Sequence, residues 1–127
     1  MIGLSVLIVL IVIAVVIVIT VLSHKRLTPA QIQMIEKEWK HIETITQPSA
    51  KIMEAEKVFH HFLKMSGHEG SLGDILKKIG DAVPNQQAVW DAHKLRNRIA
   101  HEPGFVVSDK EAQRAVSAFE KALRGML

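Results

Sequence analysis

The sequence predicts an all-α protein in which a single N-terminal transmembrane helix is followed by a bundle of four or five helices. Three observations predict this fold class. Residues 2–22 carry no charge and consist almost entirely of large apolar side chains. The rest of the chain repeats apolar residues every three or four positions and contains helix-capping motifs. No segment alternates apolar and polar residues in the way that predicts a half-buried strand.

The domain boundaries follow from this composition. Residues 1–23 form the predicted transmembrane anchor, residues 24–28 a basic juxtamembrane linker, and residues 29–127 the helical bundle. At the rise of a helix, the apolar run spans about 30 Å, which matches the hydrocarbon core of a bilayer. A cleaved signal peptide is the alternative interpretation. It fits less well because no basic residue precedes the run and no small-x-small site follows it.

The charges after the apolar run predict its orientation. His24, Lys25 and Arg26 follow it directly, so the positive-inside rule predicts a single-pass protein whose C-terminal bundle lies in the cytoplasm. The absence of cysteine agrees with a reducing compartment. A net charge of +3 is too small to indicate nucleic-acid binding by itself. Local clustering is more informative, and it is greatest between Lys94 and Arg98.

The helices of the bundle have recognisable starts and ends. Thr28 and Gln31 predict a capping box around Pro29, and Pro48 stops or kinks that first helix, with Ser49 as a cap for the next. The predicted inner stripes are, in chain order, Ile32, Ile35, Trp39, Ile42 and Ile45; Ile52, Ala55, Val58, Phe59, Phe62 and Leu63; Leu72, Ile75, Leu76 and Ile79; Ala88, Ala92, Leu95 and Ile99; and Ala112, Ala115, Val116, Phe119, Ala122 and Leu123.

Three further signals bound the short third helix and the last two. Gly80 ends the third helix, and the fourth follows Pro84. Pro103 disfavours helical geometry at the residue before it, so the fourth helix should finish close to His101. Ser108 and Glu111 predict a second capping box at the start of the last helix.

The end of the fourth predicted helix carries the residues most capable of chemistry. Arg96 can hold a phosphate through two parallel hydrogen bonds, and His101 can move protons near neutral pH. His93, Asn97 and His101 follow one another at four-residue spacing and share one side of the helix. Arg96 and His101 point well over ninety degrees apart on an ideal helix. They can serve one phosphate only if the helix loosens at its end or if two copies of the chain meet.

Arg96-x4-His101, with Asn97 directly after the arginine and on the penultimate long helix of a bundle, resembles the motif of the HEPN (higher eukaryotes and prokaryotes nucleotide-binding) superfamily. In helix order the resemblance covers residues 28–127, although its specific part is only six residues long. It implies a dimeric, metal-independent endoribonuclease that needs no cofactor, with RNA as substrate and, in toxin–antitoxin settings, a protein antagonist. Other members of the superfamily have lost catalysis and only bind.

The resemblance also implies roles for individual residues. His101 would be the acid/base group for the ribose 2′-hydroxyl or the leaving oxygen, Arg96 would stabilise charge on the phosphate, and Asn97 would orient one of them. RNA-binding roles would fall to His93, Lys94 and Arg98. Some toxin members carry a tyrosine two residues after the histidine, which a partner enzyme nucleotidylates. Pro103 stands there in this chain, which contains no tyrosine, so we expect no control by that route.

Each of these residues has an ordinary structural alternative. Arg96 can form an interhelical salt bridge with a carboxylate of the bundle such as Glu54, Glu56 or Asp91. His101 can cap the helix and interact with its dipole. The modest basicity and the lack of any recognisable specificity element for RNA favour a second hypothesis, a non-catalytic adaptor that binds a protein or nucleotide at the cytoplasmic face of the membrane.

Asn97 and His93 also have structural roles as alternatives to a role in RNA binding or catalysis. No metal site is expected. Asn97 can fill a polar gap, and His93 can support a neighbour or lie on the surface. The adjacent His60 and His61 diverge by about a hundred degrees on a helix, so they predict a half-buried pair and not a metal site. No cluster of cysteine, histidine or aspartate has zinc spacing.

Overall fold

The computed structural model describes residues 2–23 and 26–127 of the 127-residue chain, and within these ranges it contains helices and no strand. This confirms the all-α prediction with one N-terminal apolar helix. The α-helices are α1 (Ile2–Ser23), α2 (Pro29–Glu43), α3 (Pro48–Met65), α4 (Leu72–Ile79), α5 (Gln86–His101) and α6 (Asp109–Met126), with a 3₁₀ turn (Gly80–Ala82) after α4.

α1 is long and apolar enough to cross a membrane. None of the span Ile2–Ile19 is buried against the rest of the protein. Two residues of the predicted basic linker, His24 and Lys25, lie outside the described residues, and Arg26 is exposed. Leu27, the next residue, already packs against the bundle core.

Helices α2 to α6 pack around α3, which lies against α2, α5 and α6. The core is aliphatic and aromatic, and Phe59 of α3 contacts Phe119 of α6 with ring centroids 5.7 Å apart. The largest fully buried side chains are Phe59, Phe62, Phe119, Ile35, Ile52, Leu63, Ile75, Leu76, Leu123 and Val89. Burial of this apolar surface is the main force that holds the bundle together.

Local sequence signals set where most helices begin. Both predicted capping boxes are present, with the Thr28 and Ser108 hydroxyls accepting hydrogen bonds from the backbone of Gln31 and Glu111. The predicted cap of α3 is wrong. Gln47, and not Ser49, caps this helix by accepting a 2.6 Å hydrogen bond from the Ala50 amide. Pro48 consequently occupies the first turn, where its missing N–H is not needed.

The inner face of α5 differs from the predicted stripe. Val89 and Ala92 are its buried residues, whereas Ala88 is exposed, and Leu95 and Ile99 are only partly buried. The buried face is therefore rotated by one residue at the start of the helix, because α5 packs against both α3 and α6 and does not lie in a single groove.

The two ends of the bundle are distinct. At the anchor end, Arg26, Leu27, Ile79 and Met126 line one recess, and Pro84, which precedes α5, contacts Gly125. At the distal end, Pro48 and Asp109, the first residues of α3 and α6, line another recess with Glu43. α5 starts at the anchor end and reaches the distal end after 16 residues, a length of about 24 Å.

Candidate functional site

Glu56 is the one charged residue that is buried among the described residues, with 7% of its surface exposed. It lies on α3, in the middle of the apolar stripe formed by Ile52, Ala55 and Phe59. A buried carboxylate is costly unless it is paired or hydrogen-bonded. Its partners are therefore an essential part of the structure, and both come from α5.

The first partner of Glu56 is His93. The imidazole Nδ1 lies 2.9 Å from the carboxylate Oε2, and both side chains are largely buried. On the other side of the ring, Asn97 Nδ2 lies 3.4 Å from His93 Nε2. One tautomer satisfies both contacts, because a neutral imidazole with its proton on Nδ1 donates to Glu56 and accepts from Asn97. Glu56, His93 and Asn97 thus form a chain of polar contacts from α3 to α5.

The second partner of Glu56 is Arg96. Its Nε lies 3.3 Å from Glu56 Oε1, close enough for an ion pair. The Nε atom itself is buried and forms no hydrogen bond of good geometry in the described structure. About a third of the Arg96 side chain (32%) is nevertheless exposed. Arg96 is therefore paired with a buried carboxylate while part of its side chain reaches solvent.

We call Glu56, His93, Arg96 and Asn97 the polar cluster. Neighbouring elements enclose it. Trp90 of α5 contacts the His93 ring in an edge-on arrangement, with centroids 5.9 Å apart. Gly73 of α4 lies against the same ring, since a β-carbon at that position would stand 3.6 Å from His93 Nε2. His93 thus lies between α3, α4 and α5, with 15% of its side chain exposed.

His101 is separate from the polar cluster. It is the last residue of α5 and it is exposed. Its imidazole has no hydrogen-bond or ion-pair partner among the described residues. α5 does not loosen before this point, because the Glu102 amide still donates a 2.8 Å hydrogen bond to the Arg98 carbonyl. Five residues on a regular helix place Arg96 and His101 about 140° apart. Within one protomer they do not converge, which leaves contact between two copies as the way to join them.

The remaining basic residues of this segment differ from one another. Lys94 is exposed on the surface of α5. Arg98 is engaged locally, with its Nε 3.3 Å from Glu102 and its guanidinium 4.1 Å above the centre of the Phe105 ring. This local contact stabilises the turn after α5 and still leaves about half of the Arg98 side chain exposed.

The carboxylate partner of Arg96 was only partly predictable from the sequence. The sequence offered Glu54, Glu56 and Asp91 as carboxylates for Arg96, and the structure selects Glu56. The signal that points to it is its position, because a glutamate among inward-facing apolar residues needs a cationic or hydrogen-bonding partner. Glu54, by contrast, lies toward Lys57 at the surface, and Asp91 accepts a hydrogen bond from Gln87.

His60 and His61 have partners outside this region. His60 Nε2 lies 2.9 Å from the Gly70 carbonyl, and His61 Nδ1 lies 3.0 Å from Glu38. Within residues 2–23 and 26–127, no three histidine or carboxylate side chains are grouped so that they could hold a metal ion.

The polar cluster can thus orient a cation next to a surface, and the end of α5 offers an imidazole to solvent. A guanidinium can bind an anion through two parallel N–H donors. An exposed imidazole can take or give a proton. Comparisons of the chain with known protein families, with curated proteins and with solved structures found no match.

Proposed function

We propose that this protein is a membrane-anchored, HEPN-like endoribonuclease that acts as a dimer without a metal ion, through Arg96 and His101. The single observation that carries the proposal is the state of Arg96, which a buried carboxylate holds at 3.3 Å while a third of its side chain stays open. Preorganised cationic donors of this kind stabilise the charge that develops on a reacting phosphate.

The membrane anchor is supported by the surface of α1. Every large apolar side chain described in this helix is exposed, and none of the span Ile2–Ile19 is buried inside the protein. Soluble proteins rarely leave a continuous apolar surface of such size in water, whereas a bilayer would cover it. A cleaved signal sequence would carry the same surface. The mass of the protein recovered from purified membranes distinguishes the two, because the anchor predicts that residues 2–22 are retained.

The proposed chemistry is cleavage of RNA by its own 2′-hydroxyl. The 2′-oxygen bonds to phosphorus and the bond from phosphorus to the 5′-oxygen breaks. A base takes the 2′-hydroxyl proton and an acid gives a proton to the leaving 5′-oxygen, so the products are a 2′,3′-cyclic phosphate and a free 5′-hydroxyl. His101 supplies the acid/base group, and Arg96 donates to the phosphate oxygens. Asn97 acts indirectly, by holding the His93 ring that hydrogen-bonds to Glu56.

The geometry of α5 supports the proposal that the protein acts as a dimer. Arg96 and His101 diverge by about 140° on one helix, so one protomer cannot direct both at a single phosphate. A two-fold axis near the end of α5 would bring Arg96 of one protomer toward His101 of its partner. Confinement of both chains to one membrane raises their local concentration and favours this encounter.

The proposal is tested by RNA cleavage with the purified full chain in the presence of EDTA. We expect products ending in 2′,3′-cyclic phosphate, and we expect His101→Ala and Arg96→Ala each to lower the rate by about 10²–10⁴-fold. The controls are His41→Ala, another exposed histidine in the last turn of a helix, and Arg114→Ala, which removes an exposed arginine from α6. Cleavage that survives both His101→Ala and Arg96→Ala would rule the mechanism out.

One observation favours the second candidate function, a non-catalytic adaptor. The contact of Arg96 with buried Glu56 also serves folding, because it neutralises a carboxylate inside the bundle. Arg96→Lys separates the two functions. It keeps a cation near Glu56 but loses the paired donors that hold a phosphate. The ribonuclease predicts a folded and nearly inactive Arg96→Lys variant, whereas the adaptor predicts no cleavage by the unsubstituted protein.

A further inference from the structure

The anchor end of the bundle combines basic side chains with an apolar recess. The recess has a volume of about 510 Å³ and is lined mainly by apolar side chains, among them Leu27, Ile79 and Met126, with Arg26 at its edge. A second recess shares Ile79 and Ala82 with it and adds Lys77 and Lys78.

The charge of this surface is positive. Arg26, Lys77 and Lys78 are exposed, and neither lysine has an ion-pair partner among the described residues. Asp81 is the one acidic side chain that lines either recess. Counted over side chains alone, three cations against one carboxylate give this surface a formal charge of +2. The remaining residues that line the first recess are mainly apolar. Anionic phospholipids offer the complementary charge.

The length of the linker keeps this surface close to the membrane. α1 ends at Ser23, and Leu27 already packs against the bundle core. Four residues span at most about 14 Å even when fully extended. If α1 crosses the bilayer, the end of the bundle that contains Leu27 must lie within that distance of the end of α1.

We propose that the anchor end docks on anionic phospholipids of the membrane that holds α1, with Arg26, Lys77 and Lys78 contacting lipid phosphates. The inference rests on the membrane anchor of the proposed function and not on its ribonuclease chemistry. Each basic residue near an anionic surface strengthens association by about fivefold. The two lysines together therefore account for about a 25-fold preference for the docked orientation.

Docking would determine which way α5 points. α5 starts next to the anchor end and carries His101 about 24 Å farther out. The potential of an anionic leaflet is screened within about 8 Å at physiological ionic strength. A polyanion that approaches His101 would thus not be repelled by the lipids to which the other end of the bundle is bound.

The test uses the full chain in nanodiscs of phosphatidylcholine, with or without phosphatidylglycerol, containing a lipid whose headgroup quenches fluorescence. Because the chain has no cysteine, a single fluorophore can be attached to Ala82→Cys at the anchor end or to Val106→Cys, which is 83% exposed near the distal end. We expect stronger quenching at position 82 with the anionic lipid, and little quenching at position 106 with either.

Lysine substitutions separate docking from simple tethering. Lys77→Gln with Lys78→Gln should remove the dependence of quenching at position 82 on anionic lipid. Lys37→Gln with Lys40→Gln removes the same charge from exposed positions on α2 and should leave that dependence unchanged. The docking would be overturned if quenching at position 82 were the same with and without anionic lipid, or the same with and without the substitutions at Lys77 and Lys78. Failure of the full chain to float with vesicles would overturn both the anchor and the docking, while RNA cleavage is measured independently.

Discussion

Two histidine–glutamate pairs connect α3 to its neighbours, and they differ in burial. Glu56 of α3 pairs with His93 of α5 at 2.9 Å, and His61 of α3 pairs with Glu38 of α2 at 3.0 Å. The side chains of the first pair are 10% and 15% exposed, whereas those of the second are 35% and 40% exposed. In the first pair, Glu56 also contacts Arg96 and His93 also contacts Asn97.

The difference shows what burial adds to the same two side chains. At the surface, water solvates either partner when the pair breaks, so a pair contributes about 0–1 kcal/mol. Inside the bundle, removal of one partner leaves the other without solvent, which costs several times more. Glu56 must therefore keep its partners, and this requirement fixes Arg96 in place. A residue that stabilises the fold thus also positions the guanidinium that we propose for catalysis.

The largest effect that we expect comes from removing the buried charge. Glu56→Gln should lower the free energy of unfolding by about 2–3 kcal/mol, because the Arg96 cation loses its carboxylate in a poorly solvated site. For a bundle of this size that corresponds to a drop of about 10 °C or more in Tm. Thermal melts of the full chain in detergent, followed by circular dichroism, measure it. Glu38→Gln is the matched control, and an equal drop in both variants would contradict the importance of burial.

A smaller effect should follow from truncating the histidines. His93→Ala leaves Glu56 paired with Arg96 but takes away a hydrogen bond and opens space between α3, α4 and α5, for a loss of about 1–2 kcal/mol. His61→Ala should change the stability by no more than about 0.5 kcal/mol. The same melts compare the two variants. If His61→Ala were the more damaging, the proposed ranking by exposure would be wrong.

A similarly small effect should come from a third ion pair, between Arg124 of α6 and Glu36 of α2, at 2.7 Å and more than 40% exposed on both sides. The hydrogen bond to Glu36 raises the pKa of Arg124 above its ordinary value. A raised pKa stabilises the fold at every pH below the ordinary value, and this contribution is lost only in strong base.

Arg124→Gln should therefore cost about 0–1 kcal/mol, and the cost should be the same at pH 6 and pH 9. It should also shrink when salt is added, because salt screens exposed charges. Melts at both pH values and at two salt concentrations check this. If the stability cost of Arg124→Gln changed between pH 6 and pH 9, the explanation by an arginine that stays charged over this range would be contradicted.

The features predicted correctly from the sequence are those that depend on neighbours in the chain. The capping boxes at Thr28 and Ser108 are complete within four residues, and Pro103 ends α5 next to His101 through the geometry of one peptide unit. The cap of α3 was assigned wrongly because Ser49 is the better cap by residue type. Pro48, however, has its favoured place in the first turn, which moves the cap to Gln47.

The features that the sequence left open depend on how helices meet. The sequence allowed three carboxylates as partners for Arg96. The rotation of α3 in the bundle turns Glu56 toward Arg96, so these two residues pair. Val89 on α5 and Ala118 on α6 are likewise buried although neither belongs to the predicted apolar stripe. Each of these helices touches two neighbours, which a single apolar stripe does not describe. The enclosure of His93 by α4 could not be foreseen, because nothing local predicts that Gly73 lies against its ring.

The central claim is that Arg96 of one protomer and His101 of its partner act on one phosphate. Complementation tests it most directly. Arg96→Ala and His101→Ala chains, each inactive alone, are mixed in detergent, allowed to exchange subunits, and assayed for RNA cleavage in EDTA. After random exchange about half of the dimers contain one chain of each variant, and each mixed dimer has one intact site and one site that lacks both residues. About a quarter of the unsubstituted activity should therefore return. If the mixture stays inactive although the two variants form mixed dimers, the shared site is contradicted.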